Sequence, residues 1–482
     1  MGLLVGNILR HAARVMPGEI AVTLDDREVT FGQLDAASNR AARALRELGI
    51  GRGDRVVWWG DTSLAVPPVF GALAKLGAVF APVNGRLSVD EARPILDYAR
   101  PALVVTDRER AEPLGPGFAI AMTRELVSHD RDDADVDEPA LEERDPHVIF
   151  FTSGSTGAPK GVVLSHRVNC LRSFPSLGVQ RDGGTVCMFP LFHMAGWSLA
   201  LGAWQARRPI HLVRTPDAET LLRVAAERRA TRLYAIPAVW ARILEHGVDG
   251  YDLSALREAD TGTSATPPEL VDAIARALPE VAIRIYYGST EVGPGTILGN
   301  ADIARKPGSV GLPQPGVALR ISDEGEVCLR SELLMDGYFD NPTATADALD
   351  AEGWYHSGDL GVLDDEGYLS IVGRVRDVLR TGGETVAPTE VEAVLATHPA
   401  VAEVAVIGLP DPTWGEIVCA VVVPAAGSPA PGVDDLREHC DGSLAAFKRP
   451  RRVVVVDTLP RTSATGQVQR TLLVERITAG VE

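Results

Sequence analysis

Residues 151–161 read Phe-Thr-Ser-Gly-Ser-Thr-Gly-Ala-Pro-Lys-Gly. Thr152, Ser153, Ser155 and Thr156 bring hydroxyls, and Lys160 brings a cation. Gly154 and Gly157 let the backbone turn sharply and come close to a ligand. Hydroxyls, exposed amides and a cationic side chain together suit phosphate oxygens. The run is not a Walker A loop, which needs Gly-Lys-Ser/Thr opening a helix. Here Lys160 follows Pro159 and precedes Gly161. Read alone, the same residues would also serve as a flexible Ser/Gly turn.

The elements that must hold this loop are strands. Val148-Ile149-Phe150-Phe151 leads into it and Val162-Val163-Leu164 leads out. Upstream, Thr30-Phe31-Gly32-Gln33 is a capping-box pattern. Leu34, Ala37, Ala41, Leu45 and Leu48 then recur at helical spacing, and Gly49 is a natural stop. Residues 54–59 read as a buried strand, 65–76 as a helix and 78–81 as a strand. Such alternation implies an α/β fold with a parallel sheet and helices on its faces. The acidic stretch 128–145 reads as a solvated surface connection. The last hundred residues change character, with a helix at 389–395 and strands at 404–407, 417–423 and 452–456. They form a small α+β unit joined near Gly373-Arg374-Val375-Arg376-Asp377. The basic run Lys448-Arg449-Pro450-Arg451-Arg452 is either a solvated face or a place for an anionic ligand.

Composition narrows the function. A chain of 482 residues is too long for one core, so two or three domains are expected. A formal charge of −18 argues against a nucleic-acid partner, which needs a basic face. Cys170, Cys187, Cys328, Cys419 and Cys440 are odd in number and form no CxxC, which fits reduced, structural thiols. No apolar run reaches membrane-spanning length and no secretory-signal pattern opens the chain, so a cytoplasmic protein is expected.

Further motifs follow in order: Tyr286-Tyr287-Gly288-Ser289-Thr290-Glu291, Gly353-Trp354-Tyr355-His356-Ser357-Gly358-Asp359, Gly373-Arg374-Val375-Arg376-Asp377 and Gly382-Gly383-Glu384. With the loop at 151–161, this ordered set resembles the adenylate-forming superfamily of acyl-CoA synthetases, peptide-synthetase adenylation domains and beetle luciferases. The resemblance implies a large N-terminal domain of stacked αβ subdomains, residues 1–375, and a mobile C-terminal α+β domain, residues 376–482. It implies two steps. ATP and a carboxylic acid give an acyl-adenylate, and a thiol such as CoA then expels AMP. Residue by residue, it implies that Thr152, Ser153, Gly154, Ser155, Thr156, Gly157 and Lys160 cradle phosphates. Gly262 and Thr263 would flank adenine with Tyr287, Gly288 and Ser289, while Thr290 would bond the α-phosphate. Glu291 would hold Mg²⁺, a hard cation suited to a carboxylate. Asp359 and Arg374 would hold the ribose, and Arg376 would be the hinge. Arg376 is a mild departure, because Asp or Lys is usual there. His193, Trp197 and Gly288 would line the acyl pocket, His193 as a gate to the thiol tunnel. Gly383 would face that tunnel in the second step, where a missing Cβ leaves room for a pantetheine arm. Ala195, Gly196, Gly288 and Gly293 are small, which points to a bulky hydrophobic acid.

One departure bears on mechanism. The superfamily reads Pro-x-Thr-x-x-Gly-Lys-x-x-Arg near its C-terminus, and this chain reads Pro460-Arg461-Thr462-Ser463-Ala464-Thr465-Gly466-Gln467-Val468-Gln469-Arg470. The flanks match, so Gln467 stands where the resemblance implies the catalytic lysine of adenylation. Losing one preorganised electrostatic group typically costs on the order of 10²–10³ in rate. The expectation is an acyl-CoA ligase that keeps thioester formation and has impaired or lost adenylation. Its expected partners are the acid or its adenylate, CoA, a separate adenylating ligase and a second copy in a homodimer. Four other readings stand beside it. Gln467 is an engineered substitution, another lysine such as Lys448 compensates, the acyl acceptor is a carrier protein, or the chain only binds adenylate.

Overall fold

The computed structural model describes residues 2–128, 130–153, 159–174, 183–381, 384–462 and 466–480. They divide into two compact units of mixed α/β structure. The larger unit holds residues 1–307, 313–318 and 330–355, and the smaller holds 308–312, 319–329 and 356–482.

In the larger unit, Arg55–Gly60 pairs in parallel with Val79–Asn84 on one side and Leu103–Thr106 on the other. The helix Val66–Leu76 makes the crossover, with prolines in its first turn and a left-handed Gly77 at its end. All its residues are buried, and Lys75 near its end is the one charged side chain among apolar and small ones. The capping box at Thr30 forms: Gln33 N donates to Thr30 Oγ1 at 3.2 Å, and Thr30 N donates to Gln33 Oε1 at 2.9 Å. It opens the helix Phe31–Glu47. The seven-stranded sheet is completed by the antiparallel hairpin Pro146–Ser153 and Pro159–Ser165, and by the short strand Gly337–Tyr338 beside the latter.

A nine-stranded sheet lies in the same unit. In it Glu258–Gly262 runs parallel to Ala282–Ser289, and Gly293–Leu298 returns antiparallel to the latter. Register shifts between Tyr287 and Gly288. Such a bulge twists the strand and re-aims its end.

The acidic stretch corrects one sequence expectation. It is tethered to the body of its unit, not merely solvated. Arg10 pairs with Asp135 and Asp137, Arg40 with Asp133 and Arg52 with Asp145. Lys75 is fully buried, 2.6 Å from Asp35 and 3.6 Å from Asp135. The acids answer cations on three helices and a turn that sequence spacing could not bring together.

In the smaller unit, Glu326–Arg330, Tyr355–Leu363 and Leu369–Arg374 share a four-stranded sheet. A second sheet is built on Val401–Asp411, antiparallel to Gly415–Pro424, which runs parallel to Arg452–Val455. The helix Pro388–Leu395 packs its buried Val391 and Leu395 on that sheet with Val406, Val418 and Ala420. Among the described residues, no helix is long and apolar enough to cross a membrane.

Candidate active site

The hairpin that presents the Ser/Gly-rich loop is framed by Thr152 opposite Lys160. Gly154, Ser155, Thr156 and Gly157, the side chain of Ser153, and Gly383 lie outside the described residues. Thr152 Oγ1 donates to Lys160 O at 3.5 Å. The Lys160 ammonium sits 4.9 Å over the Tyr338 ring, on the neighbouring strand. Tyr338 donates its hydroxyl to Glu291 Oε1 at 3.0 Å. Burial first, and the Glu291 charge second, push the Tyr338 and Tyr355 phenols well above their ordinary range. Both therefore stay protonated as donors. Tyr338 thus links the loop's lysine to the carboxylate expected to hold Mg²⁺. It was not among the residues read from sequence; the only cue was an aromatic in Gly337-Tyr338-Phe339.

Thr290 and Glu291 occupy the tight turn between Ala282–Ser289 and Gly293–Leu298. Arg172 holds that turn. Its guanidinium donates to Thr290 O at 2.8 Å, Glu291 O at 2.7 Å and Leu333 O at 2.7 Å. Burial lowers this guanidinium to about 9, against the pull of Glu291 and Asp336, so it remains a cation at neutral pH. Arg172 also escaped the sequence reading, because nothing local distinguishes an arginine at a helix end that bonds carbonyls far along the chain.

The glycines here leave no room for a Cβ, against backbone at Gly288 and Gly196 and against the Arg172 side chain at Gly293. A Cβ on Gly288 would lie 2.0 Å from Gly293 O, one on Gly293 would lie 2.7 Å from Arg172 Nε, and one on Gly196 would lie 3.0 Å from Pro190 O. Packing against neighbouring atoms is thus enough to account for these three glycines, whatever the size of the acid.

Thr261-Gly262-Thr263 ends the strand Glu258–Gly262, level with Tyr286 on its neighbour. Gly262 has φ 148° and an added Cβ would meet Tyr286 O at 2.2 Å. Thr263 follows in the left-handed region at φ 68°. Beneath this turn, Asp260 is fully buried, 2.5 Å from Arg232 and 2.7 Å from Arg284. Arg284 also pairs with Glu258 at 2.7 Å. A buried carboxylate is tolerable only when so paired. Tyr287 is half-buried opposite Thr296.

His193 caps the helix Met194–Gln205, its Nδ1 accepting from Ala195 N at 3.2 Å. Its ring stacks on Phe189 with centroids 5.5 Å apart. Desolvation lowers its pKa to about 4, so it is a neutral imidazole at physiological pH. Trp197 is 1% exposed, stacked on Phe70 at 3.8 Å, and donates Nε1 to Leu191 O at 2.6 Å. In this position it braces the turn before His193 from the core side.

In the smaller unit, Asp359 and Arg374 face each other across paired strands, with Arg374 Nε 2.9 Å from Asp359 Oδ1. Arg376 is largely exposed and lies 3.6 Å from Asp377. Arg470 anchors that segment, 3.3 Å from Asp377 and 2.7 Å from Glu392. Gln467 sits in a turn set by its own backbone. Thr462 N donates to Gln467 O at 2.8 Å, Gln467 N donates to Thr462 Oγ1 at 3.1 Å, and Gly466 is left-handed at φ 67°. Lys448 Nζ is bound by both oxygens of Glu390, at 2.6 and 2.7 Å.

The comparisons with known proteins agree across the chain. The AMP-binding enzyme family matches residues 9–339, and the AMP-binding enzyme C-terminal domain matches 390–465. A long-chain-fatty-acid–CoA ligase of Mycobacterium tuberculosis is 35% identical over 511 residues, spanning 99% of this chain and 99% of its own. A feruloyl-CoA synthase of Amycolatopsis sp is 33% identical, spanning 95% of this chain and 97% of its own. Among solved structures, ATP-bound MatB from Rhodopseudomonas palustris superposes with a TM-score of 0.90 at 26% identity, covering all of both chains. The o-succinylbenzoate CoA synthetase of Bacillus subtilis, in complex with its acyl-adenylate intermediate, gives 0.88 at 27% identity over 97% of each chain. This chain therefore belongs to the AMP-binding enzyme family of the adenylate-forming superfamily.

Proposed function

We propose that the protein is an acyl-CoA ligase that forms the thioester from an acyl-adenylate, with ATP-dependent adenylation impaired because Gln467 replaces the catalytic lysine. The observation that carries this reading is Gln467 itself, held in register between Thr462 and Arg470. Its amide donates a hydrogen bond but brings no charge to the meeting of a carboxylate with a triphosphate. Compensation by another lysine has little to draw on. The sequence holds only Lys75, Lys160, Lys306 and Lys448. Lys448 alone lies in the smaller unit, and Glu390 engages it.

The thioester step needs less. The CoA thiol attacks the acyl carbon, a C–S bond forms, the C–O bond to AMP breaks and the thiol proton leaves to solvent. AMP is already a good leaving group. In this reading Thr152, Ser153, Gly154, Ser155, Thr156, Gly157, Lys160 and Thr290 hold phosphate. Gly262, Thr263, Tyr287, Gly288 and Ser289 surround adenine, and Asp359 and Arg374 take the ribose. His193, backed by Trp197, gates the acyl site as a neutral group that neither attracts nor repels the adenylate. Glu291 fits Mg²⁺, since Tyr338 engages Oε1 and Oε2 takes no hydrogen bond from another described residue. The ion, when bound, neutralises phosphate charge. Residues 376–482 would turn about Arg376 between steps and bring Gly383 to the thiol.

A complete two-step synthetase is the second reading, favoured by relatives named as CoA ligases over nearly their whole length. Gln467→Lys separates the two. If missing charge is the deficit, pyrophosphate release from acid and ATP should rise by roughly 10²–10³. Thioester formation from preformed adenylate should stay within about twofold. Parent and variant adenylating equally well would sink the proposal.

A further inference from the structure

One side-chain cluster plays no part in the reading above. Glu326, Cys328 and His356 lie on two strands of the four-stranded sheet in the smaller unit, Glu326–Arg330 and Tyr355–Leu363. Their donor atoms all lie within 4.8 Å of one another. His356 Nδ1 is 2.9 Å from Glu326 Oε2 and 3.7 Å from Cys328 Sγ. The second Glu326 oxygen accepts from Gly358 N at 2.7 Å, which fixes the carboxylate in the plane that aims Oε2 at the imidazole.

We propose that these three side chains form a binding site for a borderline divalent transition ion, with Zn²⁺ the best match. Zn–S bonds of about 2.3 Å and Zn–N bonds of about 2.0 Å at a tetrahedral angle put sulfur about 3.5 Å from nitrogen. The observed 3.7 Å is close to that edge. The nitrogen-to-carboxylate edge would open from 2.9 Å to about 3.3 Å. The ion wedging between the two groups supplies that opening. Thiolate and carboxylate together neutralise the dication. A thiolate, an imidazole and one carboxylate select Zn²⁺ or Co²⁺ over Mg²⁺, which prefers an all-oxygen shell. The fourth position is left to water.

Access and proton balance also allow it. Cys328 is fully buried, whereas the His356 and Glu326 side chains are 32% and 19% exposed. An ion can therefore enter on the His356 side and meet the sulfur beneath. Binding releases the thiol proton to solvent. The Nδ1 proton of His356 that faces the Glu326 carboxylate moves through solvent to Nε2, which frees the Nδ1 lone pair for the ion, and nothing is oxidised or reduced. The other four cysteines are also buried. Among the described residues, no other group of three His, Cys, Asp or Glu side chains has this geometry.

The test uses the full-length protein, stripped with chelator and titrated with Zn²⁺ alone by calorimetry and with Co²⁺ by absorption spectroscopy. The expected result is one Zn²⁺ per chain and a thiolate-to-cobalt charge-transfer band. Cys328→Ser and His356→Gln should each weaken Zn²⁺ binding more than tenfold, and Cys328→Ser should abolish the band. Cys419→Ala, in a separate core cluster, should change neither, and excess Mg²⁺ should not compete. Circular dichroism checks folding. Should Cys328→Ser unfold, His356→Gln, at a partly exposed position, decides the matter. Zn²⁺ affinity unchanged in a folded variant, or no thiolate band with Co²⁺, would overturn the site.

Discussion

At Gln467 the difference between an amide and an ammonium is a full unit of charge, placed where two anions are expected to meet. That substitution was legible in the sequence because the motif on either side stays in register. Its consequence depends on what else could supply a cation, which the sequence left open. Lys448 was the nearest candidate, and Glu390 holds it with both oxygens. Lys448→Ala should therefore leave pyrophosphate release within about twofold of parent. It should cost at most about 1 kcal/mol of stability, as expected for a partly exposed pair. Loss of residual adenylation in that variant would revive compensation. Tyr338 and Arg172 were invisible in the sequence for a common reason. Each reaches the turn at 290–291 from a distant part of the chain, Arg172 across 119 positions to Glu291. No spacing rule announces such a contact.

Elements were easier to read than contacts, and the turns between them carry two predictions. The capping box at Thr30, the crossover helix and the strands flanking the Ser/Gly-rich loop follow local rules of capping and periodicity. The ties of the acidic stretch 128–145 do not, since its arginine and lysine partners lie on other elements. The turn holding Glu291 depends on Arg172. Arg172→Met would leave the carbonyls of Thr290, Glu291 and Leu333 without this donor, and each buried loss costs about 1–3 kcal/mol. A clear fall in the urea midpoint is expected. Thioester formation from preformed adenylate should fall more than about tenfold, since a misplaced turn misplaces Thr290. Arg172→Lys should recover more stability than rate, because one ammonium cannot match a three-way fork. Parental rates in Arg172→Met would show that the turn holds itself. Gly262→Ala tests the adenine side. A Cβ 2.2 Å from Tyr286 O at φ 148° forces the backbone to shift. Adenylate affinity should drop at least about tenfold with the KM for CoA unchanged. Equal affinity would remove this turn from the nucleotide site.

Across the molecule, buried histidines set the response to acid. Burial holds His166, His193 and His211 at about 4 and His147 well below its usual range. Their folded pKa values are depressed, so the unfolded chain takes up protons first as pH falls. Stability is fully present above about 6.5 and declines towards pH 4, by up to about 1.4 kcal/mol per histidine per pH unit. The urea midpoint should thus be lower at about pH 5 than at about pH 7.5. His166→Gln should flatten the dependence, and an unchanged midpoint in the parent protein would contradict this. The α/β architecture and the order of the motifs were legible along the whole chain, because alternating elements and a co-linear motif set survive in one dimension. The central claim, a ligase competent in its second step and deficient in its first, is tested most directly by measuring both half-reactions on one preparation. A panel of long-chain and aromatic acids is offered with ATP and Mg²⁺, and the matching synthetic acyl-adenylates are offered with CoA. The account predicts AMP release and thioester from at least one adenylate, with pyrophosphate release from the same acid near background. Pyrophosphate release as fast as AMP release would contradict it, as would tight adenylate binding with no thioester at all.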